Sequence, residues 1–334
     1  MATIRDVAKK AGVSTATVSA VINESAYESP DLTVRVKRAV EALSYQPSHV
    51  ARNLRRGKTH LIALVVADLA NPFYSRIVCA AEAAVSAWGY SVVIFNSDEK
   101  PDSEKRALER IRQIGCDGAV IVPVGSHNNY SKRDLSVGCP VVLLGRSVDH
   151  QDIDTVSIDN VAAGRQATRY LLDLGHERIG TICGRMQLTT ASGRHEGMLQ
   201  AMAERGLAPR QEDIGFGEFR EEIAYSVASK MLRKPDRPTA LYVASGLMAL
   251  GVMRALADLG LRCPGDVSIA STDTVAGAGG MQPGLTRTEH PDVEMTNAAL
   301  RMLIDRIDEG FDGKGRELVF QPTLVVGESC APLR

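Results

Sequence analysis

Residues 3–23 read TIRDVAKKAGVSTATVSAVIN, and this stretch decides how the N-terminal part of the chain folds. Thr3 followed three residues later by Asp6 predicts a capped helix start. The apolar residues that then recur at helical spacing are Ile4, Val7, Ala8 and Ala11. Gly12 ends this helix, and Ser14 can cap a second one, whose apolar residues are Val18, Val21 and Ile22. Two short helices joined by a three- or four-residue turn with Gly are typical of a helix-turn-helix.

The second predicted helix exposes hydroxyl groups and small side chains. In a helix-turn-helix this helix enters the major groove of DNA, and hydroxyls and backbone N–H groups bind phosphate. The candidate DNA-binding residues of the head are Thr3, Ser14, Thr15, Ala16, Thr17, Ser19, Ala20 and Asn23. A helical hairpin with a polar face and no role on DNA is the alternative.

Charge is divided unevenly along the 334 residues. Residues 1–60 hold ten Lys/Arg and five Asp/Glu, whereas residues 61–334 hold 29 and 35. A basic head on an acidic body indicates that the head meets a polyanion. The charge pattern therefore agrees with a DNA-binding head.

Residues 3–23, together with YQPSHVARNL at 45–54, resemble the lactose-repressor family of bacterial transcription regulators. The resemblance implies a helix-turn-helix DNA-binding domain over residues 1–46, with a third helix at 32–44. It also implies a hinge helix and linker over residues 47–60. In that family the hinge helix folds on DNA and lies in the minor groove.

The hinge carries two further candidate DNA-binding residues, Leu54 and Arg55. By the resemblance, Leu54 from each of two subunits wedges open the central base step. The residues themselves agree, because Pro47 and Ser48 can start a helix, Gly57 can end it, and an exposed Leu among arginines suits a minor-groove wedge. A solvated basic linker is the alternative.

One departure from the family concerns the reading of bases. Family members often place long side chains at positions 16 and 20, and both positions are Ala here. Alanine offers only apolar contact, for example with a thymine methyl group. The operator sequence therefore does not follow from this helix.

From residue 61 onward, short apolar runs alternate with helical segments. Continuous β-branched runs are typical of parallel strands that are buried on both faces. The predicted strands are 61–67, 91–95, 118–122, 140–144, 178–182, 239–244 and 267–271. The predicted helices are 73–88, 103–114, 193–205, 221–233 and 247–259. This alternation predicts two doubly wound halves.

The family resemblance covers essentially the whole chain and completes the predicted fold class. That class is a small all-α helix-turn-helix head followed by an α/β periplasmic-binding-protein-like body of two doubly wound parallel-sheet subdomains. The resemblance places an effector-binding and dimerisation domain at residues 61–334. Subdomain one is about 61–159 plus 290–320, and subdomain two is about 160–289 plus 321–334.

Two facing halves of this kind form a cleft, because ligands bind beyond the carboxyl ends of parallel strands. The residues that match effector-binding positions of relatives are Phe73, Tyr74, Asp159, Arg194, Phe219 and Asp273. Arginine and aspartate suit hydroxyls or a carboxylate, and aromatic rings stack on a ring face. The alternatives are that Asp159 caps the helix beginning near Asn160, that the two phenylalanines are core residues, and that Arg194 and Asp273 are structural.

Two further departures bear on the effector. Ser245-Gly246 stands where many relatives have Asn-Asp, so two polar contacts of a standard hexose-like pose are missing. Leu188 stands where purine-binding relatives have an arginine. These differences favour a sugar or sugar acid over a purine base.

Several classes of protein are disfavoured. No apolar run reaches the roughly 18 residues of a membrane span, and the N-terminus lacks the apolar stretch of an export signal, so we expect a cytoplasmic protein. None of the six cysteines forms a C-x-x-C pair, and neither G-x-S-x-G nor H-E-x-x-H occurs. We therefore expect no metal, no cofactor and no enzymatic activity.

The predicted function is a ligand-responsive bacterial transcription regulator that acts as a repressor. It is expected to bind a pseudo-palindromic double-stranded DNA operator as a homodimer, with an affinity set by a small carbohydrate-like effector in the cleft. A solute-binding receptor without a DNA role is the alternative. The lack of an export signal disfavours it.

Overall fold

A computed structural model describes residues 2–23, 29–45, 58–125, 135–148, 152–273, 282–308, 310 and 313–333. The chain forms two compact units, Met1–Thr59 and His60–Arg334, which we call the head and the body. Within these described ranges, no helix is both long enough and apolar enough to cross a membrane.

The described part of the head consists of α1 (Ile4–Ala11), α2 (Thr15–Asn23) and α3 (Pro30–Ala42). Thr3 and Asp6 form a capping box, in which the Thr3 N–H donates to the Asp6 carboxylate at 2.8 Å and the Asp6 N–H donates to the Thr3 hydroxyl at 3.4 Å. Gly12 ends α1 with a positive φ of 64°. The Ser14 hydroxyl accepts from the Thr17 N–H at 3.0 Å and so caps α2.

The three helices of the head share a small apolar core. Each contributes a fully buried valine, namely Val7, Val18 and Val36. The guanidinium of Arg35 on α3 donates to the Ala11 carbonyl at 2.7 Å, which satisfies an oxygen at the end of α1. The turn between α1 and α2 is therefore tied to α3 by packing and by a hydrogen bond.

The described residues of the body form two six-stranded sheets. The first has the order β11-β5-β4-β3-β1-β2, with β1 (Leu61–Val66), β2 (Ser91–Asn96), β3 (Gly118–Ile121), β4 (Val141–Leu144), β5 (Asp154–Ile158) and β11 (Glu317–Phe320). The second has the order β12-β10-β9-β8-β6-β7, with β6 (Ile179–Cys183), β7 (Ile214–Phe216), β8 (Ala240–Val243), β9 (Ser268–Thr272), β10 (Thr286–Glu289) and β12 (Thr323–Val325). All neighbouring strands are parallel except β10 and β12.

Helices connect the strands of each sheet. Those of the first subdomain are α4 (Pro72–Ser86), α5 (Pro101–Ile114) and α10 (Asp292–Asp308). Those of the second are α6 (Asn160–Asp173), α7 (Thr189–Ala203), α8 (Glu221–Leu232) and α9 (Gly246–Asp258), with a short 3-10 helix at Gln211–Asp213. The chain crosses between the subdomains three times, after β5, after β10 and after β11. Each subdomain is therefore discontinuous in sequence.

An ionic cluster joins three elements of the first subdomain. Asp154, at the start of β5, is completely buried and lies 2.6 Å from a guanidinium nitrogen of Arg306 and of Arg316. Burial raises the pKa of Asp154, but the hydrogen bonds from both arginines outweigh this effect and hold the pKa at about 2. The carboxylate thus ties β5 to α10 and to the segment before β11.

Replacing this carboxylate by an amide, Asp154→Asn, should lower the free energy of unfolding at pH 7 by roughly 3 kcal/mol, because the largely buried Arg306 loses this counter-charge, while Arg316 keeps that of Asp305. Urea denaturation measures the change, and Glu109→Gln on the exposed face of α5 is the control, expected within about 0.5 kcal/mol of the parent. The ordinary pKa of 3.8 is lowered in the folded state, so the contribution is present above that pH and is lost as pH falls towards 2. A loss that does not shrink on acidification would contradict this account.

Candidate functional site

A cleft of about 620 Å³, counting space open to solvent, lies at the carboxyl ends of the strands of both sheets. Its wall from the first subdomain includes Asp68, Phe73, Tyr74, Glu99 and Arg146. Its wall from the second includes Thr190, Arg194, Phe219, Ser245 and Asp273, and His290 lines it from the crossing segment after β10.

The structure brings five of the six candidate effector residues together in this cleft, namely Phe73, Tyr74, Arg194, Phe219 and Asp273. Asp159 is not among the lining residues. Its carboxylate accepts the Ala162 N–H at 2.8 Å and caps α6. The position of Asp159 is therefore that of the alternative role, a helix cap.

Phe219 is held in place from two sides. Phe219 is buried, and its backbone has a positive φ of 57°, which is uncommon for a residue with a large side chain. A Cβ atom added to Gly184 would lie 2.2 Å from the Phe219 ring, so only glycine fits beneath the ring. The guanidinium carbon of Arg146 lies 5.9 Å from the ring centroid on the cleft wall.

A second aromatic group faces the cleft from the start of α4. The ring of Phe73 contacts those of Tyr74 and His290 edge to face, with centroids 5.0 and 5.8 Å away. Burial raises the pKa of the Tyr74 hydroxyl above its ordinary value, so the phenol stays neutral and can donate a hydrogen bond. These rings offer apolar surface beside a polar donor.

Glu99 and Arg146 form a buried ion pair in the wall of the first subdomain. The two guanidinium nitrogens of Arg146 donate to the two oxygens of Glu99 at 2.6 and 3.0 Å. Both side chains are almost completely buried. Such a bidentate pair neutralises both charges and fixes the orientation of the guanidinium.

Two other arginines form ion pairs from one subdomain to the other. Arg220, at the start of α8, lies 2.9 Å from Asp68 and 2.8 Å from Asp98, which follow β1 and β2. Arg76 on α4 lies 3.1 Å from Asp273, which follows β9. Asp273 has a positive φ of 74°, a strained conformation that is common at functional sites. These pairs hold the two walls of the cleft together.

Arg194 differs from the other arginines of the cleft wall. It is buried on α7, where Nε donates to the Asn160 side-chain oxygen at 2.9 Å and Nη1 donates to the Ala244 carbonyl at 2.7 Å. Across the described part of the chain, Nη2 has no hydrogen-bond partner and no carboxylate lies within ion-pair distance. Arg194 therefore keeps a nitrogen for a ligand.

Asp273, His290 and Asp292 have ligand atoms within 4.8 Å of one another, as a metal site would require. However, Arg76 already bonds the carboxylates of Asp292 at 2.6 Å and Asp273 at 3.1 Å. Burial lowers the pKa of His290 well below 6.5, and the charges of Arg194 and Arg76 lower it further. We interpret the group as an ion-pair cluster beside a neutral histidine, because a metal ion would be repelled by both arginines.

The candidate DNA-binding residues of the head occupy two kinds of position. Thr15 and Ala16 are exposed at the start of α2, and the half-buried ones are Thr17, Ser19 and Ala20. Thr3 and Ser14 use their hydroxyls in the helix caps described above. The side chain of Asn23 and the whole of Leu54 and Arg55 lie outside the described residues.

Sequence reasoning missed five polar residues of the cleft wall, namely Asp68, Glu99, Arg146, Thr190 and His290. Arg146 follows β4 by two residues, so the strand-end rule that located Asp273 could have found it. Glu99 follows β2 after a turn with positive φ, and no local pattern marks it. His290 directly follows β10, a strand whose sequence has no apolar run.

Family profiles match both units of the chain. The profile of "Bacterial regulatory proteins, lacI family" matches residues 3–48, and that of "Periplasmic binding proteins and sugar binding domain of LacI family" matches residues 59–308. The chain is 35% identical over 313 residues to the HTH-type transcriptional repressor PurR of Serratia proteamaculans (strain 568), covering 92% of this chain and 91% of that protein. The chain belongs to the LacI family. PurR of Pectobacterium carotovorum subsp. carotovorum (strain PC1) is 34% identical over 337 residues, 99% of this chain and 97% of its own.

Solved structures of the LacI family agree with this assignment. The complex of the transcriptional regulator CelR with cellobiose is 30% identical, with a TM-score of 0.73 over 98% of this chain and 100% of that one. The Lac repressor dimer bound to operator and the anti-inducer ONPF is 25% identical, with a TM-score of 0.87 over 99% of each chain. The predictions of family, of fold class and of a repressor rather than an enzyme are confirmed. The chain is an effector-responsive transcriptional repressor of the LacI family.

The contact between Gly184 and Phe219 gives a test of the cleft geometry. Gly184→Ala should lower the free energy of unfolding by about 1–3 kcal/mol, because the added methyl group overlaps the ring. Gly284→Ala, where a Cβ meets nothing within 4 Å, is the matched control and should stay within about 0.5 kcal/mol of the parent. In the Phe219→Ala background the Gly184→Ala change should cost much less, since the overlap is gone. Equal costs in both backgrounds would show that the ring does not lie on Gly184.

Proposed function

We propose that this repressor binds a pseudo-palindromic operator as a homodimer, and that a sugar or sugar acid binds in the cleft and sets its operator affinity. The supporting observation is the set of buried polar atoms in the cleft wall that have no partner among the described residues. They are the Thr190 hydroxyl and both ring nitrogens of His290. Buried polar atoms are nearly always hydrogen-bonded, so a ligand is expected to satisfy these.

A polyhydroxylated ring suits these groups. Its hydroxyls both donate and accept hydrogen bonds, as the neutral His290 and the Thr190 hydroxyl require, and its apolar faces can stack on Phe73 and Phe219. The similar regulator CelR was solved with cellobiose, which is a carbohydrate. Leu188, which stands where purine-binding relatives have an arginine, is an apolar core residue outside the cleft lining and so offers no polar group to a purine base.

The size of the head supports the proposed dimer. A single three-helix head contacts few base pairs, and two heads related by a two-fold axis read two half-sites of a pseudo-palindrome. The similar Lac repressor structure is a dimer bound to operator. We propose the same assembly for this chain, with the exposed start of α2 in the major groove and Leu54 and Arg55 of the hinge in the minor groove.

The ion pairs across the cleft provide a physical route for the switch. Arg220 with Asp68 and Arg76 with Asp273 connect the two subdomains in the closed arrangement. A ligand shifts an equilibrium between cleft states only by its different affinity for each of them. An effector that contacts both walls satisfies this requirement. By linkage, the factor by which the effector changes operator affinity equals the factor by which the operator changes effector affinity.

The function is tested with the full-length protein and DNA selected by that protein from random sequence. We expect a pseudo-palindromic consensus, a dimer in sedimentation, and a roughly fivefold or larger change of operator affinity when a cleft ligand is added. Monomers that bind the operator with undiminished affinity would contradict the dimer. A protein that binds sugars but selects no DNA would instead be the solute-binding receptor.

The wedge is tested by Leu54→Ala, with Leu54→Met as the matched control. Without a large apolar side chain the central base step stays stacked, so affinity for the selected operator should fall roughly tenfold or more. Methionine can still fill the step, so that variant should lose much less. Fluorescence anisotropy with labelled operator measures both. Equal operator affinities of the alanine variant and the parent would remove Leu54 from the interface.

A further inference from the structure

Arg76 binds two carboxylates that belong to different subdomains. Its Nε donates to Asp292 at 2.6 Å, and its Nη2 donates to Asp273 at 3.1 Å. Arg76 on α4 and Asp292 at the start of α10 belong to the first subdomain, whereas Asp273 follows β9 in the second. The guanidinium therefore has one partner on its own side of the cleft and one partner across it.

The two carboxylates compete for this guanidinium. Both side chains are largely buried, and each has an oxygen within 4.8 Å of the other and of a His290 nitrogen. Two negative charges this close repel each other strongly when water is largely excluded. Arg76 lies nearer to Asp292, the partner on its own side. The charge of Asp292 therefore affects the contact that joins the two walls.

The hydrogen bonding around Asp292 is incomplete within the described ranges. Its Oδ1, Nη1 of Arg76 and both ring nitrogens of His290 are buried and have no hydrogen-bond partner there. A buried carboxylate oxygen without a donor is unfavourable, and protonation relieves this because the neutral acid needs less solvation. The protonated group can also donate, and a neutral imidazole has one nitrogen that accepts. The site is therefore suited to hold a proton on Asp292.

The charged and titratable groups around Asp292 and its neighbour His290 are Arg76 on α4, Asp273 after β9, Glu289 on β10 and Arg194 on α7. Burial disfavours the charged form of Asp292 most, and the charge of Asp273 adds to this effect. Arg76 acts in the opposite direction, and Glu289 contributes a smaller repulsion. Together these influences raise the pKa of Asp292 from 3.8 to about 6. His290 stays neutral for the reasons given above.

We propose that protonation of Asp292 favours closure of the cleft, because it removes the charge that repels Asp273 and leaves Arg76 to the pair that joins the walls. Asp292 is then a positioning residue for Arg76, and the proton is a second ligand of the equilibrium that the effector shifts. The inference rests on the proposed link between cleft closure and operator affinity.

The direction of the pH effect follows from linkage. Opening the cleft takes Asp273 away with the second subdomain and admits water, so the causes that raise the pKa of Asp292 weaken and this pKa falls back towards 3.8. Protons therefore bind the closed arrangement more tightly and favour it as the pH falls through about 6. With these two values, the ratio of closed to open cleft rises roughly tenfold per subunit between pH 8 and pH 5.

The first experiment tests the titration of Asp292 without DNA or effector. Asp292→Asn stays neutral at every pH, and Glu294→Gln, in the same first turn of α10 but exposed, is the matched control. Urea unfolding of the full-length protein is measured between pH 5 and pH 8. A raised folded-state pKa stabilises the fold below that pH, so the parent should gain stability relative to Asp292→Asn as the pH falls. Glu294→Gln should follow the parent.

The second experiment tests the link to the operator. Affinity for the operator selected by the parent is measured by fluorescence anisotropy over the same pH range, at constant ionic strength and without effector. The ratio of the affinities of the parent and Asp292→Asn cancels the titration of the head and the DNA, and it should change by up to roughly tenfold. The change on acidification should have the same sign as the change caused by a ligand that closes the cleft. The ratio of the parent to Glu294→Gln should stay constant.

A third variant tests whether Asp273 is the group through which Asp292 acts. In an Asp273→Asn background the repulsion is already gone, so adding Asp292→Asn should alter the pH dependence of operator affinity much less than it does in the parent. Equal effects in both backgrounds would show that Asp292 acts elsewhere. If Asp292→Asn does not fold, Asp292→Ser is the second neutral variant, because serine also suits the start of a helix.

Each contrary outcome overturns the inference without deciding the proposed function. Parallel unfolding profiles of the parent and Asp292→Asn would show that Asp292 does not titrate in this range. A titrating Asp292 with a constant ratio of operator affinities would show that its proton does not reach the cleft equilibrium. In either case a cleft ligand that changes operator affinity would leave the proposed function intact, whereas the absence of any ligand effect would count against that function.

Discussion

In both sheets of the body the neighbouring strands run parallel, apart from β12, and the cleft depends on this pairing. Parallel strands need long crossover connections, so each helix that follows a strand begins near the same edge of its sheet. The residues after β1, β4, β8 and β9 are far apart in sequence, yet Asp68, Arg146, Ser245 and Asp273 line one cleft. The helix starts add their positive ends to the same edge.

The charged side chains at that edge of the sheets are largely buried, so each of them needs a partner of opposite charge. Charges in a cleft of low dielectric must be matched, and most of the wall is matched within the protein. Two of the pairs, Arg220 with Asp68 and Arg76 with Asp273, join opposite walls, so opening the cleft would separate them. Opening the cleft therefore has an electrostatic cost.

The sequence predicted the elements whose signal is local. Long β-branched runs such as 61–67 gave central strands, and capping residues marked the start of α1 and α2. The third helix begins at Pro30 rather than at 32, because Ser29 caps it and proline suits the first helical position. Among the strands without an apolar run is β10, which reads TRTE, because its partners β9 and β12 rather than its own composition place it in the sheet.

The sequence predicted which residues lie near the cleft, but not the roles that depend on hydrogen-bond and ion-pair partners far away in sequence. A strand-end rule cannot tell Asp159 from Asp273, since both follow a strand, and only the Ala162 N–H shows that Asp159 is a cap. Likewise, Arg194 and Arg146 both line the cleft, and the sequence does not show which of them is paired with a carboxylate. Glu99, which neutralises Arg146, lies 47 residues away in sequence, and no local pattern connects them. Which charges of the wall are matched therefore follows from the three-dimensional pairing and not from the motifs.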